Sequence, residues 1–350
     1  MSGIAVVELD AHPESRVQNS QPHGIGRVVA LGDGWAWNNL GRNVVFAGDD
    51  LAPRAVYDES PFREDEPSQY DLDVHAILDV AGAGIVVTLN HLGSVRAFDA
   101  RDVWEPGPLR RVSPRWTRQF RGDVERAVVV GGRLVGSRPR HERAPGLLAG
   151  GQLTADASDA DIEVTVELEM LGVVTALSVL DDGAPRLIVG ADGVVSLVPL
   201  TEHGYGEPSW HVRVDFEPSF LEWDGERIWA AGSERADRAI DDYDWEARRG
   251  GGFAAIDPTD GAIVVDGRFP DDVAWGNGGI AVVRVPNALC SIGRTGRMHV
   301  FDDRRGTDVV EGPTSASSSL GIGHAAARRG RILYGFNRGG YRLYCADVGP

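Results

Sequence analysis

Short apolar runs rich in valine, isoleucine, leucine and aromatics recur along the whole chain, and glycine, aspartate or asparagine breaks each of them. The stretch from 75 to 116 shows the pattern: HAILDV, GIVVTLN, SVRAFDA, LRRVSPRW. Alternating or continuous β-branched runs of this length, bounded by turn residues, predict strands joined by hairpins. VTALSVL, PRLIVGA, VVSLVPL and HVRVDF repeat the arrangement between 174 and 216, as do SFLEWDG, RIWAAGS, GFAAIDP and GAIVVDG between 219 and 267. The unit is therefore four short strands.

These units recur at a regular interval. Five strands end on an aspartate, at Asp58, Asp99, Asp257, Asp302 and Asp347. The last three lie 45 residues apart and the first two 41 apart, and the gap of 158 between the groups holds two more units with insertions. Seven units follow. A four-stranded unit repeating every 40 to 50 residues predicts the blades of a propeller.

The ends of the chain fit that count. The last unit has only three strands, GIGHAAA, RILYGFN and YRLYCAD. A spare strand, Gly3–Asp10, stands before the first full unit. Paired beside Tyr341–Asp347 it completes the seventh blade, and a bare sheet edge is avoided. The expected fold is an all-β, seven-bladed β-propeller occupying residues 1–350 as a single domain, its N-terminal strand closing the last blade.

FAAIDPTDGAIVV, with Thr259 and Gly261 after the strand-ending Asp257, is similar to the quinoprotein repeat, and MHVFDDRRGTDVV follows the same outline with Gly306. The chain as a whole resembles the broad quinoprotein-like, YVTN and WD40-like group of seven-bladed propellers. The resemblance implies the fold. It carries over no functional residues, because neither a Gly-His…Trp-Asp pair nor a regular tryptophan marks the repeats.

Composition narrows the chemistry. A net charge of −17 argues against a nucleic-acid backbone or an anionic membrane as partner. All 35 basic residues are arginine, so a Schiff base, a pyridoxal-phosphate anchor and a P-loop lysine are excluded. No apolar run has the length of a membrane span, and the N-terminus lacks a basic, apolar leader. Cys290 and Cys345 read as two buried thiols. A cytoplasmic location is expected. No cofactor is implied, and no His/Cys spacing supplies a metal site.

Two sets of residues stand out as candidates. Alignment of the units puts Arg27, His75, Arg126 and His324 at the heads of their innermost strands, where they approach the propeller axis. Together they make a cationic mouth suited to a carboxylate or phosphate, and the histidines add acid–base capacity near neutral pH. The loops between second and third strands, NNLGR, NHLGS, ADG and NRGG, have the Asn and Gly that tight hairpins need. Only Arg42, His91 and Arg338 exceed that need and offer contacts to a ligand or partner. The second-to-third-strand loop of the fifth unit, Ser233–Gly252, is an insert carrying Tyr243 and Trp245 among charges, a composition suited to partner contact.

Two readings remain open at this point. In the first, the chain is a non-catalytic platform that holds a protein partner on its loop face. In the second it is an enzyme, a lyase or hydrolase, acting on a small anion at the channel mouth: Arg27, Arg126 and His91 bind the anion while His75 or His324 moves protons.

Overall fold

A computed structural model describes residues 6–10, 25–39, 43–58, 74–90, 93–120, 124, 126–137, 147–153, 162, 164–170, 173–202, 204–234, 248–269, 274–275, 281–285, 288–293, 297–302, 306–310, 322–336 and 342–348. Seven antiparallel sheets stand around a common axis. Their innermost strands are Ile25–Leu31, Val74–Val80, Arg126–Val130, Val174–Leu180, Phe216–Trp223, Ala281–Val285 and Ile322–Arg328. Each touches the innermost strand on either side, and the seventh touches the first, so the ring is closed.

Closure is made as the strand count requires. Val6–Asp10 runs antiparallel to Arg342–Asp347, from Val6 opposite Ala346 to Asp10 opposite Arg342. The seventh blade is thus built from both ends of the described chain, in the order first strand, 342–347, 331–336, 322–328.

The core is not one mass but seven, each lying between two neighbouring blades. This follows from strand geometry: alternate side chains leave opposite faces of a sheet, and in a propeller both faces meet a neighbour. The second strands are accordingly buried along almost their whole length, as in Ile85–Asn90 and Arg186–Ala191. The mass between blades seven and one unites Leu333, Leu343 and Cys345 with Ile25, Trp35 and Trp37. Gly335 lies at this contact. A Cβ there would stand 2.6 Å from the Ile25 side chain, so glycine lets the first blade nest against the seventh.

The aspartate that ends a strand has a local cause. After Gly252–Ile256, the Asp257 carboxylate accepts the Thr259 N–H at 2.8 Å and its carbonyl accepts the Gly261 N–H at 3.0 Å. Gly261 sits at φ +77°, and the Trp210 ring of blade four packs on it, its Nε1–H donating to the Pro258 carbonyl at 3.0 Å. The turn is therefore also an inter-blade joint.

Two details depart from the repeat as read from the sequence. The phrase ending at Asp58 is the fourth strand of its blade, Pro53–Asp58, whereas Asp99, Asp302 and Asp347 end third strands and Asp257 directly follows one. LRRVSPRW is not one strand. Arg110–Arg111 joins the first blade in parallel with 55–56, and Trp116–Gln119 alone completes blade two. The short helix Ala100–Trp104, capped by Asp99, carries the chain across, and Trp104 packs edge-on to Phe46 of blade one. Among the described residues no helix is long and apolar enough to cross a membrane.

Candidate functional site at the channel mouth

In this topology the heads of the innermost strands, the loops between second and third strands and the connections between blades share one face, here called upper. The heads are irregular in a repeated way. Register slips by one residue at Ile25/Val28, Val74/Ala76, Val174/Ala176, Pro218/Phe220 and Ile322/Ala325. These are β-bulges, which turn a side chain out of the regular pleat and often lie where a sheet meets a site. Arg27, His75, Thr175, Ser219 and His324 all sit within them.

Arg27 is fixed through its backbone. Its N–H donates to Oδ1 of Asn38, and the Asn38 amide donates in turn to the Val74 carbonyl of blade two at 3.2 Å. Asn38 is 1% exposed. It is thus not a turn residue, as the NNLGR reading has it, but a buried clamp joining the heads of two blades. Blade three repeats half of the device: the Arg126 N–H donates to Ser137 Oγ at 3.2 Å.

The lip is stitched from blade three to blade five. Arg126 donates through Nε to the Thr175 carbonyl at 3.0 Å, and the Thr175 hydroxyl donates to Glu217 at 3.1 Å. Thr175 and Glu217 were not legible as site residues, since neither residue type signals a site without the bulge that places it.

Arg27 differs from Arg126. Its guanidinium has no hydrogen bond or ion pair among the described residues. Burial, and then the positive charge of Arg126, lower its pKa from 12.5 to about 9. The two arginines thus stand near enough for the charge of Arg126 to be felt at Arg27. The backbones of His75 and His324 lie in the strands Val74–Val80 and Ile322–Arg328, while their side chains, like Arg42, His91, Arg338, Tyr243 and Trp245, lie outside the described residues. The insert's return leg is visible: Arg248–Arg249 pairs antiparallel with Ala274–Trp275, which lies between blades five and six.

A second polar cluster lies at the lower end of the channel, between blades five and six. Asp224 follows the innermost strand Phe216–Trp223 and accepts from the N–H groups of Glu226 and Arg227, from Trp229 Nε1 at 2.7 Å and from Arg284 at 2.8 Å. Burial would raise its pKa, but these donors bring it to about 2. Arg284 also stacks on the Trp229 ring at 4.4 Å. Glu222 has no such donors. Burial pushes its carboxyl up to about 7, against the pull of Arg284 and with the help of Asp224. Nearby Cys290 is buried and free, its thiol pushed up to about 12 by burial, so it is inert at neutral pH. Among the described residues no group of His, Cys, Asp and Glu is arranged to hold a metal ion.

No family model and no curated protein matches the chain. Solved structures do. BamB from Moraxella catarrhalis is similar over 99% of this chain and 98% of its own, with a TM-score of 0.59 and 12% identity. The Neurospora crassa Pan2 WD40 domain covers 98% of this chain and 94% of its own, with a TM-score of 0.61 and 12% identity. The WD40 β-propeller domain of Doa1 is similar at a TM-score of 0.59, again with 12% identity. At this identity the likeness extends to the fold alone, and the chain is a seven-bladed β-propeller, similar in fold to BamB and to WD40 domains.

Proposed function

We propose that the chain is a non-catalytic protein-interaction platform that works through its upper face. The observation that supports this is the asymmetry of the connections. On the lower face, strands are joined by turns as short as 32–33, 131–132 and 329–330. On the upper face they are joined by 11–24, 59–73, 138–146, 235–247 and 311–321. Long connections are thus more numerous on the upper face, although 100–115 and 153–163 lie on the lower one, and loops carried on a rigid ring are where recognition residues usually lie. The polar groups of the channel mouth point the same way. Arg126, Thr175 and Glu217 bind one another across blades, so these groups are occupied in holding the lip together.

The blade-five insert is the preferred recognition element, with Tyr243 and Trp245 as its anchors. Its base is anchored by the pairing of Arg248–Arg249, so its tip can change without disturbing the blade. The test is to replace 236–247 by a short Gly-Ser turn and compare crosslinked partners in the native cells. The shortened protein should melt as the parent does and lose a specific partner. An unchanged partner set would overturn the role of the insert, and an absence of any specific partner for the parent would overturn the platform reading.

A further inference from the structure

We propose that the upper mouth of the channel binds a small free anion bearing a carboxylate or phosphate group, with Arg27 as its principal contact. This inference does not depend on the platform reading. It begins with a side chain that the fold places with care and then leaves without an acceptor. The bulge opposite Asn38 sets Arg27 out of the pleat, and two hydrogen bonds of the buried Asn38 hold that bulge against the head of blade two. Arg27 so placed is half-buried, yet its guanidinium meets no acceptor among the described residues.

Its electrostatic neighbour is a second guanidinium, that of Arg126, which is itself fixed by the Thr175 carbonyl. A half-buried guanidinium that feels a second positive charge gains when something negative joins it. Other arginines with little exposure among the described residues have acceptors: Arg284 bonds Asp224, and Arg328 bonds Asp49 and the Leu31 and Gly32 carbonyls. Arg27 has no such acceptor among the described residues, and it stands at the head of an innermost strand, at the upper end of the ring's axis. Arginine's planar fork suits the two oxygens of a carboxylate or phosphate. Even at about 9 the group is charged at neutral pH and can pair with an anion.

The probes are inorganic phosphate and citrate, titrated calorimetrically into the full chain in a buffer of low ionic strength. Either should bind saturably. Arg27→Gln should weaken that binding about tenfold or more, as expected for loss of a charge-assisted pair. Arg213→Gln, which removes an exposed arginine on an outer strand, should bind like the parent. Without anion, Arg27→Gln should melt higher than the parent, because it removes an uncompensated charge. The parent protein gives an independent measurement: phosphate should protect Arg27 from phenylglyoxal, mapped by mass spectrometry, and leave Arg213 reactive. No saturable binding by the parent, equal binding by Arg27→Gln, or equal phenylglyoxal labelling of Arg27 with and without phosphate would overturn the proposal.

Discussion

Replacing Glu222 by glutamine should make the protein more stable at pH 8 and leave it unchanged at pH 4. Glu222 lies on the innermost strand of blade five, beside Asp224 and opposite Trp229 in the register. Burial raises its pKa from 4.5 to about 7. The folded protein therefore holds this proton more tightly than the unfolded chain does between those values. By linkage, stability falls as pH rises from below 4.5 through 7, and the full cost stands above 7. A change from 4.5 to about 7 corresponds to roughly 3 kcal/mol between the two protonation states. Because Glu222 is only half-buried, solvent screening brings the expected gain of the variant at pH 8 to about 1–2 kcal/mol. Arg284 keeps its bond to Asp224 in the variant, so no new charge is orphaned. Urea midpoints of both proteins at pH 4, 5, 6, 7 and 8 test this directly. All other titrating groups are common to both and cancel in the difference. A gap that is constant across pH, or a variant less stable at pH 8, would refute the placement of Glu222 in an enclosed site.

Two further outcomes follow from the joints of the ring. Removing residues 1–10 deletes the strand opposite Arg342–Asp347; at about 1 kcal/mol for each hydrogen bond lost it should cost about 5 kcal/mol, seen as a lower melting temperature, and expose an edge that aggregates on light scattering. Gly261→Ala should cost about 2 kcal/mol or more on urea unfolding, since φ is +77° and its Cβ would stand 2.8 Å from the Trp210 ring.

The blade count was legible because it rests on a deficit: three strands at one end of the chain and one at the other. Closure needed only arithmetic. The position of Arg27 and Arg126 at equivalent strand heads was legible for the same reason, since repeats can be aligned without knowing their pairing. What depended on pairing was hidden. The bulges that carry Arg27 and Thr175 arise from register between two strands, and no local pattern records them. Asn38 looked like turn chemistry because it stands next to a glycine-containing loop, yet its amide spans two blades. Arg110–Arg111 crossed to blade one because the Pro- and Gly-rich stretch around it does not specify which sheet receives it. The lower cluster of Asp224, Trp229 and Arg284 joins residues 60 apart in sequence, beyond the reach of any motif. One signal was present and unread: an arginine opens, or directly precedes, the second strand of four blades, at Arg133, Arg186, Arg227 and Arg331.

That signal explains why the two faces of the ring differ. On the lower face, arginines reach across to the next blade. Arg133 donates to the Thr201 carbonyl at 3.1 Å and the Glu202 carbonyl at 2.6 Å, and Arg331 donates to the Asp49 carbonyl at 3.1 Å. Arg328 spans Leu31, Gly32 and Asp49 in blade one. A forked side chain with several donors can hold two or three turn carbonyls at once, which the single ammonium of lysine does less well. This stitching ties lower turns to the next blade, and the charges of these arginines are consumed in holding the ring. The upper face has no equivalent demand on Arg27, and its strands are joined by longer segments. Lower-face arginines should therefore be felt first in stability, as should the Asn38 clamp and the Arg126–Thr175–Glu217 chain of the upper lip, whereas the Arg27 side chain can be altered with the ring intact.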